Sequence, residues 1–277
     1  MSFDIADYKA RTARLDVAGV DFEAFRARPL APETLRCLRY MHDVEYHTVC
    51  YLRDLLLTPA HKDPEVTAFL TFWAYEEFWH GEAIGKVLSA HGEPAGDIRI
   101  VSMRKSLPLR DRIAPFTHLL GAALVGADYT AIHMAWGAIN EWCTQAGYAR
   151  LIARADHPEL SRLLGRVMKQ EGRHIDFYAT QAADRLAASP RARRIARFAL
   201  RRFWSPVGAG VMPAEETDFV VRYLFGGPEG RSAAQRIDRR VDRLAGLGRL
   251  ALVQHAVSSR LVTAPLPVVE TSVATAA

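Results

Sequence analysis

The chain has 277 residues, of which 49% are hydrophobic and 24% are charged, as in an ordinary globular protein with one substantial core. Its net charge of +5 is local, because residues 189–205 carry six arginines and no acid, while the rest of the chain sums to −1. Cys37, Cys50 and Cys143 lack close spacing, which excludes a disulfide scaffold and indicates a reducing, cytoplasmic setting. The N-terminus lacks a basic start followed by an apolar run, so we expect no signal peptide.

The N-terminal part of the chain is predicted to contain an arm and two helices. Residues 1–31 are mixed in composition and are interpreted as a partly ordered arm. A helical pattern then covers about residues 32–57 and stops near Pro59. A second helix covers about residues 64–90, where His91-Gly92 ends it.

After a connection of about twenty residues, the chain is again predicted to be helical. A third helical region covers about residues 111–155, with a break near Gly126, and a fourth helix covers about residues 158–188. Residues 189–262 form a predicted C-terminal extension with an Arg-rich helix, a Pro/Gly loop and one or two further helices. The tail, residues 263–277, is predicted to be extended or disordered.

These elements predict an all-α fold. Long helices without alternating strand patterns, arranged as two hairpins joined by one long crossover, are the layout of a ferritin-like four-helix bundle, which we expect over residues 32–188 with extra C-terminal helices after it. The stretch 113–140 contains one charged residue, Asp128, so a membrane span is an alternative there. Its Pro115 and its small residues favour a buried bundle helix instead.

The motif Glu-x-x-His occurs twice, as Glu77-Phe78-Trp79-His80 and as Glu171-Gly172-Arg173-His174. A single Glu precedes each copy, Glu45 by 32 positions and Glu141 by 30. Each interval matches one helix, a short turn and a return to the same height along the bundle. Corresponding residues of the two halves lie 94 to 96 positions apart, so a pseudo-twofold bundle would bring the two motifs together.

The glutamates and histidines of these motifs lie on apolar helix faces. Positions three or four apart share one side of a helix, and each Glu interrupts a hydrophobic stripe there. Four buried carboxylates would repel one another and become protonated unless cations compensate them. Two divalent cations balance four carboxylates, and oxygen and nitrogen donors without thiolates suit iron or manganese. The predicted metal ligands are therefore Glu45, Glu77, His80, Glu141, Glu171 and His174.

At these residues the chain resembles the ferritin-like di-iron carboxylate proteins, and among them most the soluble acyl-carrier-protein desaturases. Those enzymes carry Glu-Glu-Asn-Arg-His in the first half and Asp-Glu-Lys-Arg-His in the second. The counterparts in this chain are Glu76-Glu77-Phe78-Trp79-His80 and Gln170-Glu171-Gly172-Arg173-His174. The family also has a Thr three positions after the Glu of its third helix, beside its oxygen site, and here that position is Thr144. The resemblance covers roughly residues 34–187.

The resemblance implies an oxygen-dependent oxidoreductase that contains two Fe ions, or Mn, uses dioxygen and desaturates an acyl chain. It also implies a homodimer and an external electron donor, a ferredoxin or a reductase, because the chain has no flavin or nicotinamide fingerprint. Thr144 would be a catalytic proton or hydrogen-bond donor, and a helical Thr bonded to its own backbone is the alternative. Gln170 replaces the family's Asp, so an acidic residue that would orient one ligand His is missing.

Two other functions remain open. A related di-iron enzyme would hydroxylate or N-oxygenate a small biosynthetic substrate. An iron-oxidising or metal-storage protein would need no cavity for an organic substrate. Tyr178 and Thr48 lie one turn from predicted ligands and either line a substrate channel or pack in the core, and His133 is interpreted as a satisfied core or surface histidine.

The Arg-rich segment is a candidate docking surface. Arg191, Arg194, Arg197 and Arg201 would bind an acidic partner, for which the resemblance indicates an acyl carrier protein. A solvated helix face is the alternative, and the interleaved aromatic residues also fit contact with a membrane surface. No nucleic-acid partner is expected, because no recognisable binding module accompanies the arginines.

Overall fold

The computed structural model describes residues 3–105 and 109–262, apart from the side chains of residues 110–112 and 262, and the predicted all-α fold is confirmed within those ranges. The predicted tail, residues 263–277, lies outside the described residues. The helices in chain order are α1 (Ile5–Arg11), α2 (Ala24–Ala27), α3 (Pro32–Leu56), α4 (Pro64–Ala90), α5 (Gly96–Lys105), α6 (Leu109–Val125), α7 (Tyr129–Ala155), α8 (Pro158–Ala188), α9 (Pro190–Phe203), α10 (Ala214–Phe225), α11 (Gly227–Val241) and α12 (Leu252–Val262).

Four long helices form two hairpins. α3 packs along α4 and α7 along α8, and contacts between α4 and α8 and between α3 and α7 join the hairpins. Local signals set the helix ends: the carboxylate of Asp63 accepts hydrogen bonds from the backbone N–H groups of Glu65 and Val66 at the start of α4. Gly126, at a φ of 72°, separates α6 from α7, and Asp156, at a φ of 45°, ends α7. The predicted break near Gly126 is therefore confirmed.

The crossover between the hairpins contains α5 and α6. Arg99 of α5 donates two hydrogen bonds of 2.7 Å to the buried carboxylate of Asp43, which ties α5 to α3. α6 does not fit the expectation of a buried bundle helix, because it lies on the outside, where Phe116, Leu120 and Leu124 are 63% to 73% exposed. No helix within the described ranges is both long and apolar enough to cross a membrane.

The C-terminal extension covers one side of the hairpins. α9 packs on α7 and α8, α10 packs on α3 and α7, and α11 packs on α7 and α12. Three helices follow α9 where the sequence predicted one or two, because Gly226 alone separates α10 from α11. Asp238 of α11 accepts hydrogen bonds from the backbone N–H groups of Val253 and Gln254 at 3.0 and 2.9 Å and so holds the start of α12. The hydrophobic core is continuous from the hairpins into the extension.

The N-terminal arm packs on α4 and α8. Tyr8, Leu15, Phe25 and Leu30 of the arm are buried. Side chains of α8 donate hydrogen bonds to backbone carbonyl groups of the arm, in the pairs Arg162 with Gly19, Arg166 with Asp16, Gln170 with Ala13 and Arg173 with Arg11. The arm therefore lies along α8 next to the second Glu-x-x-His motif.

Candidate metal centre

The predicted metal ligands meet between the two hairpins. The side chains, by helix, are Glu45 of α3, Glu77 and His80 of α4, Glu141 of α7, and Glu171 and His174 of α8. All are buried, with exposures from 0% to 6%. The apolar stripe on each helix faces the core. These polar side chains lie on the same helix face, so they point into the core as well.

The ligand atoms form two overlapping groups that could each hold a metal ion. The groups are Glu45, Glu77, His80 and Glu171, and Glu77, Glu141, Glu171 and His174. Within each group the ligand atoms lie within 4.8 Å of one another, and neither group contains a cysteine. Glu77 and Glu171 belong to both groups, so these two carboxylates would help to hold an ion in either group. Glu45 and Glu141 each belong to one group.

Both imidazoles present their Nδ1 atoms to the carboxylates. His174 Nδ1 lies 3.0 Å from Glu77 Oε1 and 3.0 Å from Glu171 Oε2. His80 Nδ1 lies 3.4 Å from Glu171 Oε1, and both atoms are buried without a hydrogen-bond partner among the described residues. Buried polar atoms without partners cost free energy, and a cation held between them would remove that cost.

The other nitrogen of each imidazole is held by a residue of the facing helix. His80 Nε2 donates to the amide oxygen of Gln170 at 2.9 Å, and the Gln170 amide nitrogen donates to the carbonyl group of Ala13 at 3.0 Å. His174 Nε2 donates to the carboxylate of Glu76 at 2.8 Å. Because those oxygens accept, each Nε2 carries a hydrogen, and in the neutral form of each ring the lone pair is on Nδ1. Both lone pairs therefore face the carboxylates, as ligand histidines require.

Because Gln170 stands where the resembled family has an Asp, the two histidines are held by different kinds of acceptor. A neutral amide orients His80, whereas the acidic Glu76 orients His174. Glu76 is fully buried, accepts a hydrogen bond from the Tyr8 hydroxyl at 3.0 Å and forms an ion pair with Arg173. Sequence reasoning missed Tyr8, because the arm carries no motif and reaches the site only through tertiary packing.

Burial and neighbouring charges divide the four carboxyl groups into two pairs. Burial, together with the charge of Glu77, raises the pKa of Glu45 well above its usual value, and burial with the charge of Glu171 does the same for the pKa of Glu141. Burial also acts to raise the pKa of Glu77 and of Glu171. Contacts with the two histidines, and for Glu77 also with Glu45, outweigh burial and lower both pKa values.

The pKa values of both histidines are raised above their usual value. Burial lowers the pKa of each, but Glu171 and Glu77 outweigh it and raise the pKa of His80 to about 9. Tyr8 and Glu171 are the main causes that raise the pKa of His174 well above its usual value. The protein groups alone thus balance two carboxylates with two imidazolium ions. Two divalent cations with four carboxylates and two neutral imidazoles give the same zero sum, so the residues fit two such ions.

A cavity of about 170 Å³, which we call the metal-side cavity, lies beside the carboxylates. Its walls include Glu45, Glu77, Glu141 and Thr144, and most of the remaining wall is apolar or aromatic. The indole N–H of Trp73 donates to Glu141 Oε1 at 3.1 Å from this wall. A molecule in the cavity would therefore lie against the carboxylates of the candidate ligands.

A second cavity of about 80 Å³ lies between the hairpins and the C-terminal extension, and we call it the extension-side cavity. It shares Val44, Glu45, Thr144 and Val207 with the metal-side cavity. Helices α10 and α12 supply much of its apolar wall, including Leu224. The extension thus borders a space that adjoins the carboxylates.

Thr144 differs from Thr48 in what its hydroxyl contacts. Thr144 lines both cavities, and its hydroxyl has no hydrogen-bond partner in the part of the chain that the structure describes. Thr48 donates to the backbone carbonyl group of Glu45 at 2.6 Å. The hydroxyl of Thr144 is therefore available to a molecule in the cavities.

The other residues singled out from the sequence have packing roles as well. Tyr178 is buried edge-on against Trp73 and also lines the metal-side cavity, as Thr48 does. His133 is buried with its Nδ1 at 2.7 Å from the hydroxyl of Tyr51. Burial lowers the pKa of His133 to about 3, so this ring is neutral. His133 is thus a core histidine.

The arginines predicted to dock a partner are not equivalent. Arg191 forms an ion pair with Asp128 at 3.0 Å, and Arg197 donates hydrogen bonds to two backbone carbonyl groups. Arg194 and Arg201 are exposed and form no ion pair with any described residue. Two of the four guanidinium groups are therefore tied to the protein.

Comparison of the chain with protein-family models, with curated proteins and with solved structures found no match. Its function is inferred from the site itself. The inference depends on three features: the buried carboxylates and imidazoles, the presence of Glu77 and Glu171 in both groups, and the adjoining cavities.

Proposed function

We propose that this chain is a ferritin-like di-iron carboxylate protein that works as an oxygen-dependent oxidoreductase. The observation that carries the proposal is the pair of overlapping Glu/His groups, with Glu77 and Glu171 in both and a cavity against their side. The oxygen and nitrogen donors favour iron, with manganese as the other fit. Two iron ions, when bound, would supply the redox chemistry that activates dioxygen and oxidises an unactivated carbon–hydrogen bond.

The residues around the ligands support such a role by fixing the terminal carboxylates. Tyr148 donates a hydrogen bond to Glu45, and Trp73 donates to Glu141. Each of these carboxyl groups is thus oriented by a neutral donor of the protein, and its group of candidate ligands could hold an ion beside it. The buried aromatic and aliphatic walls keep water from the site, and the free hydroxyl of Thr144 would donate a hydrogen bond inside it.

An apolar carbon chain is the proposed substrate, carried as a thioester on an acyl carrier protein and desaturated. The mostly apolar cavity walls support an apolar substrate, and the exposed Arg194 and Arg201 would contact the acidic carrier. Electrons would come from an external ferredoxin or reductase in the cytoplasm. A homodimer is the proposed assembly, and light scattering measures it directly.

The reaction is tested by turnover of the full chain. The protein is loaded with ferrous iron, reduced, and given oxygen with acyl-carrier-protein thioesters of different chain lengths. We expect a desaturated product, and we expect none from Glu171→Ala, which lacks a carboxylate common to both groups. Hydroxylated product alone, or no turnover of any acyl chain, contradicts desaturation.

A second candidate is a di-iron hydroxylase or N-oxygenase of a small biosynthetic substrate. The cavity sizes favour it, because about 170 and 80 Å³ fall below the ~300–1,000 Å³ of common ligand pockets. Oxygenated products from small apolar amines or aromatic compounds, with no product from acyl thioesters, would decide for it. A ferroxidase or storage protein would instead oxidise iron well beyond the capacity of the two groups without any organic substrate.

Thr144→Val tests the proposed role of the hydroxyl. The change keeps the shape of the side chain, so we expect unchanged metal content. We expect product formation to fall about 10²-fold, because a positioned proton donor contributes ~10²–10⁴-fold. Thr48→Val is the matched control, since the Thr48 hydroxyl bonds the backbone of Glu45. Equal product yields from the two variants contradict a role for Thr144.

A further inference from the structure

A basic cleft lies on the outer side of the extension. Its volume is about 550 Å³, and it is formed by the end of α9, the segment that follows it, and α12 with the residues before it. The cationic and titratable side chains that line it are Arg197, Arg201, Arg249, Arg260 and His255. None of the described residues in its wall is acidic. Convergent positive charge of this kind attracts anions.

Most of that positive charge has no carboxylate partner. Arg260 forms an ion pair with Asp218 at 2.9 Å. Arg197 donates only to the backbone carbonyl groups of Gly246 and Gly248, at 3.1 and 2.8 Å, so its position is fixed while its charge stays uncompensated. The side chains of Arg201 and Arg249 form no ion pair within residues 3–105 and 109–262. Three guanidinium groups are therefore available to an anion.

The basic cleft adjoins the cavities that lead to the carboxylates. It shares Trp204, Pro206 and Ala256 with the extension-side cavity. That cavity in turn shares Val44 and Thr144 with the metal-side cavity. The three spaces thus form a series, charged at the outer end, apolar in the middle and bounded by the ligand carboxylates at the inner end.

We propose that the basic cleft binds the anionic head group of an amphiphilic substrate whose apolar chain lies in the two inner cavities. The head group is a carboxylate or a phosphate, since the planar fork of Arg pairs with either in a bidentate manner. The inference rests on the proposed function, because it takes the carboxylate cluster as the reacting end. It resolves the size of the inner cavities: they hold only the chain, and the 550 Å³ cleft holds the rest of the molecule.

Binding of defined amphiphiles to the full chain tests the proposal without turnover. The probes are decanoate, decyl phosphate, decanol and butyrate, measured by calorimetry with the protein as purified. We expect decanoate or decyl phosphate to bind at least about tenfold more tightly than decanol and butyrate, since both the charge and the chain contribute. Tighter binding of the phosphate assigns the head group to a phosphorylated carrier or lipid, and tighter binding of the carboxylate assigns it to a free acid.

Matched variants distinguish binding by the arginines of the cleft from a general attraction of anions by surface charge. The double variant Arg201→Gln, Arg249→Gln should weaken the binding of the anionic probes by about tenfold or more and leave decanol unchanged. Arg202→Gln is the control, because Arg202 is exposed on α9 but does not line the cleft. It should change no affinity by more than about twofold. An equal loss in the control, or no loss in the double variant, overturns the proposal.

A bulky side chain in the wall between the basic cleft and the extension-side cavity tests whether the apolar chain passes from one to the other. Ala256 lies in both the cleft and the extension-side cavity, so Ala256→Phe should reduce the affinity for decanoate to that for butyrate. A thermal melt confirms that this variant is folded. Retained preference for the long chain overturns the path. If the binding pattern holds but no probe is oxidised, the proposed function fails while this inference stands.

Discussion

At the scale of single residues, the two histidines of the site are oriented by different chemistry. Gln170 accepts from His80 through a neutral amide, and Glu76 accepts from His174 through a carboxylate. An anionic acceptor makes an imidazole a stronger donor to a cation than a neutral acceptor does. We therefore expect the two ions to differ in affinity, with the weaker ion on the side of His80.

Removal of the amide acceptor tests this orientation. Gln170→Leu leaves His80 Nε2 without an acceptor, and we expect the affinity for one of the two ions to fall about 10- to 100-fold. Gln170→Glu supplies an anionic acceptor in place of the neutral amide and should raise the affinity above that of the unaltered chain. Competition with a chelator measures both values. Lys169→Leu, a change at an exposed neighbour on α8, is the control. Unchanged affinity in Gln170→Leu contradicts the orienting role.

Metal binding should release protons from the site. The raised pKa values of Glu45, Glu141, His80 and His174 keep these four groups protonated in the protein alone. An ion binds their deprotonated forms, so filling both groups should release up to four protons, and the affinity should rise with pH until the pKa of about 9 for His80 is passed. A pH-indicator titration with manganese in weak buffer measures the release. An affinity that is constant between about pH 6 and pH 8 contradicts it.

The convergence of the six candidate ligands could be predicted from the sequence, but the contacts that orient them could not. Each Glu-x-x-His places both side chains on one helix face, and the motif occurs twice, each time with a Glu about thirty positions upstream. The contacts from Tyr148 to Glu45 and from Trp73 to Glu141 depend on how separate helices pack. No spacing in the sequence encodes those contacts.

At the scale of helices, the four hairpin helices could be predicted because their ends carry local signals. Asp63 caps α4, and Gly126 allows the left-handed turn before α7. The burial of α6 was predicted wrongly from its apolar composition, since Phe116 on its outer face is 72% exposed. Composition indicates that a helix is apolar, whereas its position between neighbours decides whether it is buried.

Close packing of α7 on α8 depends on Gly137. A Cβ atom at this position would overlap the ring of Tyr178, which is buried and packed against Trp73. We expect Gly137→Ala to lower the free energy of unfolding by about 1–3 kcal/mol. Gly165→Ala is the matched control within α8, because a Cβ atom there meets nothing within 4 Å.

Urea denaturation measures both glycine variants under the same metal conditions. Gly165→Ala should raise the free energy of unfolding by about 0.5–1 kcal/mol, because alanine loses less backbone entropy in a helix than glycine. Equal stability of the two variants contradicts the packing of Tyr178 against Gly137.

At the scale of the whole molecule, the extension and the arm contribute to different parts of the site. α10 and α12 border the extension-side cavity, and the arm places Tyr8 on Glu76 and Ala13 on Gln170. Neither role could be predicted, because both segments lack a motif and their contacts with the hairpins join residues far apart in the sequence. Residues outside the hairpins therefore shape a site whose candidate ligands all lie within the hairpins.

Metal content of the purified full chain tests the central proposal most directly. Elemental analysis after loading with ferrous iron should give about two ions per chain, one for each Glu/His group. Glu77→Ala and Glu171→Ala remove the carboxylates common to both groups and should each lower the content below one. Glu33→Ala, at an exposed glutamate of α3, should keep it. Full occupancy in both ligand variants, or no iron in the unaltered chain, contradicts a two-metal site.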